Sequence, residues 1–419
     1  MIVIGLVGRA ITGISAYMRI AYLGFLFYGI SWIWSLVLLR GVRVKRKARR
    51  NRASVGDIFE EEFEISGISW PGYLWLEVDN NSTLPMASGS RLITGIGWRQ
   101  KRFYTSRTLL TTRGSFILGP TTLASGDPLG LFTVSRSFIA DTTLVVLPMI
   151  FPIKKFPLPP GLLPGGKSIR KKTTNITPHA AGVREYSQGD PMKRIHWPST
   201  AKRGRFMVKE FEQDPEAEVW LFIDAEEGGQ VRIKEILPSL GSGVFFRKPK
   251  IRLPRDTFEY SISIAASLGK FLLDEKRAVG LVCAERHFTV LPAERGDRQA
   301  GKLLETLAFL QPQGKLPISR LVSLQAKHIP MGSSVLLITT DTNQQVVLAM
   351  ENLRRLNLRP AVVLVNPESF GGKGEPKKIT SILKRMNIPL CQVNFEDDLS
   401  TKLSLPITQF LQPDYLRLH

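Results

Sequence analysis

Three carboxylates occupy positions where an α/β sheet would present them to a ligand. Asp224 closes the apolar run EVWLFID (218–224), Glu226 follows two residues on, and Asp341 closes SSVLLITTD (333–341). Ligands on mainly parallel sheets bind beyond the carboxyl ends of the strands, where the strand order reverses. Three hard oxygen ligands there would suit Mg²⁺ or Ca²⁺. Acids are equally at home in exposed loops after strands, so the metal is one reading of two. Other chemistry is thinner. Neither a G-x-G-x-x-G nor a G-x-x-x-x-G-K-[ST] loop follows a strand. Cys283 and Cys391 lie in the apolar runs VGLVC and IPLCQV and read as two buried thiols in a reducing compartment. The five histidines have no paired spacing, and no Ser/His/Asp or Cys/His set is arranged. No catalytic residue is named, and the chain is expected not to be an enzyme.

A second concentration of functional residue types lies at Val183–Asp214, with six basic residues between Lys193 and Lys209. Asp190–Pro191 fits an N-cap and first helical residue, which predicts a helical turn over Met192–His196. That turn should stop before Trp197–Pro198, because proline disfavours the α region for its predecessor. Gly204 permits another turn. RFMVKEFE (205–212) then reads as a strand, with Phe206 and Val208 on one side and Met207 and Phe211 on the other. Two readings compete. In one, Arg184, Tyr186, Gly189, Asp190, Arg194, Trp197 and Arg203 form a docking or interdomain surface. In the other, the arginines pair with Glu185 or Asp190 and Trp197 plugs a core.

Elements must position both groups. The chain has 419 residues and a formal charge of +21, which predicts two or three domains. Between Arg19 and Arg40 lie 20 uncharged residues, long enough at about 1.5 Å each to cross a ~30 Å hydrocarbon core. Eight Lys or Arg residues come next, from Arg40 to Arg52, and would hold that end on the cytoplasmic side of a plasma or inner membrane. They are also a candidate contact for anionic lipid. Residues 2–18 would form one arm of a hairpin or an interfacial helix. Residues 1–52 are thus read as anchor and juxtamembrane run. Ten positive charges and no acid precede Asp57, so the remainder carries 21 − 10 = +11. Charge alone supports non-specific contact with polyanions, and without a recognition element nucleic acid is disfavoured.

Period-two patterns over residues 53–150 predict a small β-sandwich. Strands are expected at 58–65, 73–79, 91–96, 101–112, 114–119 and 143–148. In the first, Glu61 shares a face with Phe59, Phe63 and Ile65. A Pro/Gly-rich linker occupies 151–182 and the basic, aromatic segment 183–214. Residues 215–419 alternate apolar strands with helices, starting with Asp256 and Glu259 at capping-box spacing before the helix 257–275. This predicts a doubly wound α/β domain.

The segment resembles the bacterial family known as domain of unknown function 58. The carriers are Arg184–Glu185–Tyr186–Ser187–Gln188–Gly189–Asp190, Ile195–His196–Trp197 and Ala201–Lys202–Arg203, together with the membrane segment and the RG…LGP…DPLGLF region of the β domain. His196 stands where the family often has an acid. The resemblance implies that the α/β domain is von Willebrand factor A-like. Such domains hold metal through Asp-x-Ser-x-Ser; Asp224 matches the first Asp and Asp341 a later one, but Glu226 and Gly228 replace the serines. The implied metal site is degenerate, and no cofactor is expected. The resemblance also implies a MoxR-type AAA ATPase as partner. The functional expectation is a membrane-anchored scaffold or adaptor for protein partners, in assembly or chaperone-like work. The alternative is a divalent-metal-dependent, adhesion-type protein-binding module through Asp224, Glu226 and Asp341.

Overall fold

A computed structural model describes residues 1–67, 70, 72–139, 142–156, 180–187, 192, 195–211, 218–233 and 252–404. The chain divides into two compact units. One is built mainly on Met1–Ile150, the other on Phe151–Arg232, Asp256–Leu303 and Gln311–His419.

The first unit begins with a helical hairpin. α1 (Ile2–Thr12) ends at Gly13, which adopts φ +70°, and α2 (Ser15–Leu38) runs back alongside it. A Cβ on Gly5 would lie 2.6 Å from backbone atoms of Tyr17 and Ala21, so glycine permits this close approach. Residues 2–18 therefore supply a hairpin arm. α2 has 24 residues and is long and apolar enough to cross a membrane. Its last turn enters the β-sheet core, where Leu38, Leu39 and Val42 pack with Ile65, Tyr73, Leu76, Val78, Ile96 and Leu123. The Tyr73 hydroxyl donates to the Leu38 carbonyl at 2.8 Å, and burial pushes the phenol up to about 12.

Ten strands come after the hairpin: β1 (Arg43–Ala48), β2 (Arg52–Ser54), β3 (Ile58–Ser66), β4 (Tyr73–Asn80), β5 (Arg91–Ile96), β6 (Arg102–Leu109), β7 (Gly114–Ile117), β8 (Thr121–Gly126), β9 (Thr133–Phe138) and β10 (Thr143–Leu147). They form sheets ordered β1-β3-β6, β2-β10-β7 and β5-β4-β8-β9. The six expected strands are present. The sequence pattern did not reveal β8 and β9, and it suggested a juxtamembrane tail for the whole basic run when part of that run is β1. The alternation of the run explains why. Arg43, Lys45 and Lys47 face outward, while Val44, Arg46 and Ala48 turn inward. Arg46 meets the buried Glu61 through two hydrogen bonds, at 2.7 and 3.0 Å, and reaches Asn80 at 2.9 Å. A run of cations thereby donates one member to the interior.

The second unit opens with β11 (Ala180–Glu185), α3 (Trp197–Arg203) and β12 (Met207–Phe211), β11 and β12 pairing antiparallel. Then come β13 (Val219–Ile223), α4 (Thr257–Asp274), β14 (Val279–Ala284), β15 (Phe288–Glu294), α5 (Asp297–Phe309), α6 (Ile318–Gln325), β16 (Ser334–Thr339), α7 (Gln344–Arg355), β17 (Arg359–Val365), α8 (Pro376–Arg385), β18 (Leu390–Val393) and α9 (Leu399–Lys402). The six-stranded sheet runs β15-β14-β13-β16-β17-β18, all parallel except the β14–β15 pair. Strand order reverses between β13 and β16. Asp256 caps α4 by accepting the Phe258 and Glu259 amides. One core joins Phe222, Val282, Leu337 and Leu364 of the sheet to Leu321 of α6, Met350 and Leu353 of α7 and Leu383 of α8. Both cysteines are buried, and burial pushes the Cys391 thiol up to about 11.

Candidate functional site

The first candidate lies at the reversal point. β13 and β16 are neighbours, with Ile223 opposite Ile338, so the residues just beyond them, Asp224 and Thr339–Asp341, emerge side by side. Asp224 is only 2% exposed. The Thr339 hydroxyl donates to one of its oxygens at 2.6 Å, and the Glu226 amide to the other at 3.1 Å. The Asp341 amide in turn donates to the Thr339 hydroxyl at 2.9 Å. Around this pair, the Gln230 side-chain amide donates to the Asp224 carbonyl at 3.2 Å, and the Thr340 hydroxyl donates to the Gly229 carbonyl at 2.9 Å. Gly314 closes the floor: a Cβ there would lie 2.3 Å from the Ala284 carbonyl and 2.8 Å from that of Ala225.

Among the described residues, no cation offsets this cluster's charge in the contacts around Asp224. Burial pushes the Asp224 carboxyl up to about 6 despite the hydrogen bonds from Thr339 and Glu226, and Asp341 and Glu226 push it further in the same direction. Glu226 is raised too, by burial first and Asp341 second. The three predicted acids are therefore close enough to act on one another. Yet among the described residues no three His, Cys, Asp or Glu side chains form a group that could hold a metal ion. Each Asp224 oxygen accepts one protein hydrogen bond, and Asp341 turns one oxygen to the Asn343 amide at 2.8 Å. Beyond β16, a polar cavity of about 490 Å³ opens between Thr342–Gln344 and Gly374–Lys378.

The second candidate is the segment that opens the second unit. Gln188–Pro191, Lys193 and Arg194 lie outside the described residues, so the readings placed on Gly189, Asp190 and Arg194 are not addressed; nor is the side chain of Arg184. The Ile195 amide donates to the Met192 carbonyl at 3.2 Å, within the turn expected over Met192–His196, and a further helix that the pattern did not predict follows it. α3 begins at Trp197 with His196 as N-cap, whose ring accepts the Ser199 amide at 3.3 Å, and Pro198 sits in the first turn. Proline in a first turn forfeits no intrahelical bond, and the fixed φ suits the helix. Pro198 therefore starts a helix here, and Trp197 need not end one.

The strand register then arranges the aromatic side chains. Glu185 pairs with Met207, so Tyr186 comes opposite Phe206 and its amide donates to the Phe206 carbonyl at 2.9 Å; Ile195 bridges Val208, and Trp197 opens α3 two residues later. Tyr186 and Phe206 meet edge to face at 6.3 Å between centroids. Trp197 is 64% exposed and Phe206 54%. The core-plug reading of Trp197 fails; Met207 and Val208, adjacent in sequence, are the buried pair. The glutamate at 185 pairs with Arg205. Lys202 and Arg203 lie on the exposed last turn of α3. Phe206 was missed as a surface residue because the alternation assigned it to the side of Val208.

These residues lie in the stretch where the chain is similar to known proteins. Residues 182–235 match the family described as "Protein of unknown function DUF58". The match covers the Arg184–Asp190 and Ile195–Trp197 motifs and extends to Asp224 and Glu226. The chain is also 25% identical over 212 residues to the uncharacterized protein YeaD of Bacillus subtilis (strain 168), covering 50% of this chain and 46% of that one. It thus spans about half the length of that curated relative. Among solved structures, a von Willebrand factor type A protein from Catenulispora acidiphila is similar at TM-score 0.29 and 12% identity, over 45% of this chain and 42% of that one. Proximal thread matrix protein 1 of the mussel byssus gives the same TM-score and identity over 45% and 46%. The CARDB domain of the PF1109 protein from Pyrococcus furiosus is similar at TM-score 0.18 and 12% identity, over 25% of this chain and 91% of that domain. The DUF58 resemblance read from the motifs is shown; these matches do not touch the MoxR association.

Proposed function

We propose that the chain is a membrane-anchored, non-enzymatic scaffold or adaptor whose second unit binds a protein partner. α2 serves as the anchor, and the basic residues after it hold both units on the cytoplasmic side. The observation that carries the reading is the exposure of three aromatic rings in one segment, the Tyr186–Phe206 pair and Trp197. Large aromatic rings left in solvent beside arginine and lysine are the composition of a protein-binding hot spot, where Trp, Tyr and Arg carry most of the binding energy. The partner that the family resemblance implies, a MoxR-type AAA ATPase, is the first one to test. The sheet's reversal point supports a structural role by contrast, since its central carboxylate is committed to internal hydrogen bonds. For the same reason the adhesion-type, metal-dependent reading has less behind it.

The test is recovery of partners from native membranes with the full chain, comparing wild type with Trp197→Ala and Arg203→Glu. Both positions are exposed, so the variants should fold and insert normally. An ATPase or other protein recovered with wild type should be reduced about 10- to 30-fold by Trp197→Ala, the loss of roughly 2 kcal/mol expected of a hot-spot aromatic. Equal recovery by wild type and both variants would remove Trp197 and Arg203 from the interface.

A further inference from the structure

The DPLGLF region has no part in the function proposed above, yet its geometry is specific. Asp127–Phe132 is the loop that joins β8 to β9. It lies against α2: the Phe132 ring meets Tyr28 at 5.2 Å between centroids, and the buried Ser31 hydroxyl is directed to the Asp127 carboxylate. Asp127 is 2% exposed, whereas Leu129 and Leu131 at the tip are 55% and 54% exposed. From Pro128 to Phe132 there is no charge.

The height of this contact along α2 matters. Twenty-four helical residues measure about 36 Å, so only about 6 Å can lie outside a ~30 Å hydrocarbon core. Tyr28 precedes Leu38 by ten residues, or about 15 Å. Even with the whole excess placed at the C-terminal end, the Tyr28–Phe132 contact sits inside the hydrocarbon. Irregular backbone survives there only if its polar groups are satisfied internally. This loop meets that condition for its donors. The Leu129 and Phe132 amides donate to the two Asp127 carboxylate oxygens at 2.9 and 2.6 Å, with the Leu131 amide directed to the same group. The Gly130 amide donates to the Asp127 carbonyl at 3.1 Å, and the Asp127 amide to that of Phe132 at 3.2 Å. Pro128 has no N–H to satisfy.

We propose that Pro128–Phe132 is a lipid-inserted loop, entering the acyl region beside α2 with Leu129 and Leu131 as its tip and Asp127 as its internal clamp. The proposal rests on α2 crossing the membrane. Full-length protein carrying Leu129→Cys or Leu131→Cys, labelled with an environment-sensitive nitrobenzoxadiazole and reconstituted in phosphatidylcholine–phosphatidylglycerol vesicles, tests it. Unsubstituted protein gives the background, since Cys283 and Cys391 are buried. Leu26→Cys on α2 and Leu348→Cys on α7, both exposed positions, report lipid and water respectively. The expected result is blue-shifted emission at 129 and 131, quenched by acyl-chain nitroxides as at 26, with iodide quenching several-fold weaker than at 348. Iodide access at 129 and 131 equal to that at 348, with 26 still lipid-quenched, would overturn the loop proposal and leave the anchor standing. Iodide access at 26 as well would overturn both.

Discussion

Each unit buries a carboxylate, and the two are handled in opposite ways. Glu61 lies on the inner face of β3 with Arg46 of the neighbouring β1 clasped to both its oxygens, and the guanidinium also stacks over Phe63 at 5.1 Å. Asp224, equally hidden, receives one hydroxyl and one amide, and its charged neighbours are two further acids. The first charge is neutralised where it sits. The second is held by dipoles alone, so burial displaces its titration toward neutrality. A buried pair is costly to break but not necessarily stabilising as a whole, whereas a buried lone acid is a standing liability relieved by protonation. Glu61 therefore reads as architecture, and Asp224 as a strained element at the place where an α/β sheet would normally engage a ligand.

The sharpest way to break this comparison is to remove one partner of the pair. Arg46→Ala leaves Glu61 buried without its cation and should destabilise the first unit by about 3–5 kcal/mol. Replacing both residues by apolar ones of similar size, Arg46→Met with Glu61→Leu, should recover most of that loss, because neither charge is then stranded. Urea unfolding of the full chain in detergent, monitored by tryptophan fluorescence, gives both values. A double variant as unstable as the single one would mean that Arg46 acts through Asn80 and Phe63 more than through Glu61.

How far such features could be read in advance depends on whether they are local. Alternation in IFEEEFEI put Glu61 on the apolar face, an anomaly visible without any structure. Its explanation was not visible, because Arg46 sits in a run of cations whose bulk is a topology signal, and only pairing with β3 turns one of them inward. The α/β unit was legible almost strand by strand because its buried parallel strands are short continuous apolar runs and its helices carry caps such as Asp256. β8 and β9 were hidden by the small and polar composition of TTLASG and TVSRSF. The acids Asp224, Glu226 and Asp341 were found by their place at strand ends, but Thr339 was not singled out, since a hydroxyl in a strand looks like ordinary β propensity until a partner faces it. α3 was not anticipated for a reason of the same kind: Trp197–Pro198 was read only as a stop for the preceding turn, whereas proline also suits a first helical turn, and the N-cap His196 shows that one starts there.

The second prediction concerns the sign of a pH effect. A carboxyl whose folded value lies above its unfolded one binds a proton more tightly in the native state. Its contribution to stability is full below the unfolded value and is lost as pH rises through the folded one. For Asp224, raised from 3.8 to about 6, the full loss is about 3 kcal/mol, of which about 2.4 kcal/mol falls between pH 4 and pH 7. Glu226 shifts in the same direction and adds to it. Asp224→Asn cannot ionise but gives up one accepting oxygen, a loss of about 1 kcal/mol. It should be more stable than wild type by about 2 kcal/mol at pH 7.5, and no more stable at pH 4. Wild-type stability that rises across this interval, with the variant weaker at every pH, would show that the carboxylate has a cation after all.

That possibility is the smallest effect expected and the most direct probe of the contrast between the two acids. Glu61 has a resident cation; the question is whether Asp224 would accept one from solution. A divalent ion bound to the folded state at about 100 times its dissociation constant would add about 2.7 kcal/mol of stability. It would also abolish the pH-dependent loss, since it would fix Asp224 in its charged form. Geometry argues against both outcomes. Among the described residues no three acids are grouped to hold an ion, and the Thr339 hydroxyl and the Glu226 amide each occupy one lone pair of Asp224. Titration of the full-length protein with Mg²⁺, Mn²⁺ and Ca²⁺ at pH 7.5 should therefore show no saturable heat and no change in unfolding midpoint, with Asp224→Asn indistinguishable from wild type. A saturable signal lost in Asp224→Asn would place the acid among metal ligands and reverse the reading of the reversal point from a closed hydrogen-bonded joint to an open site.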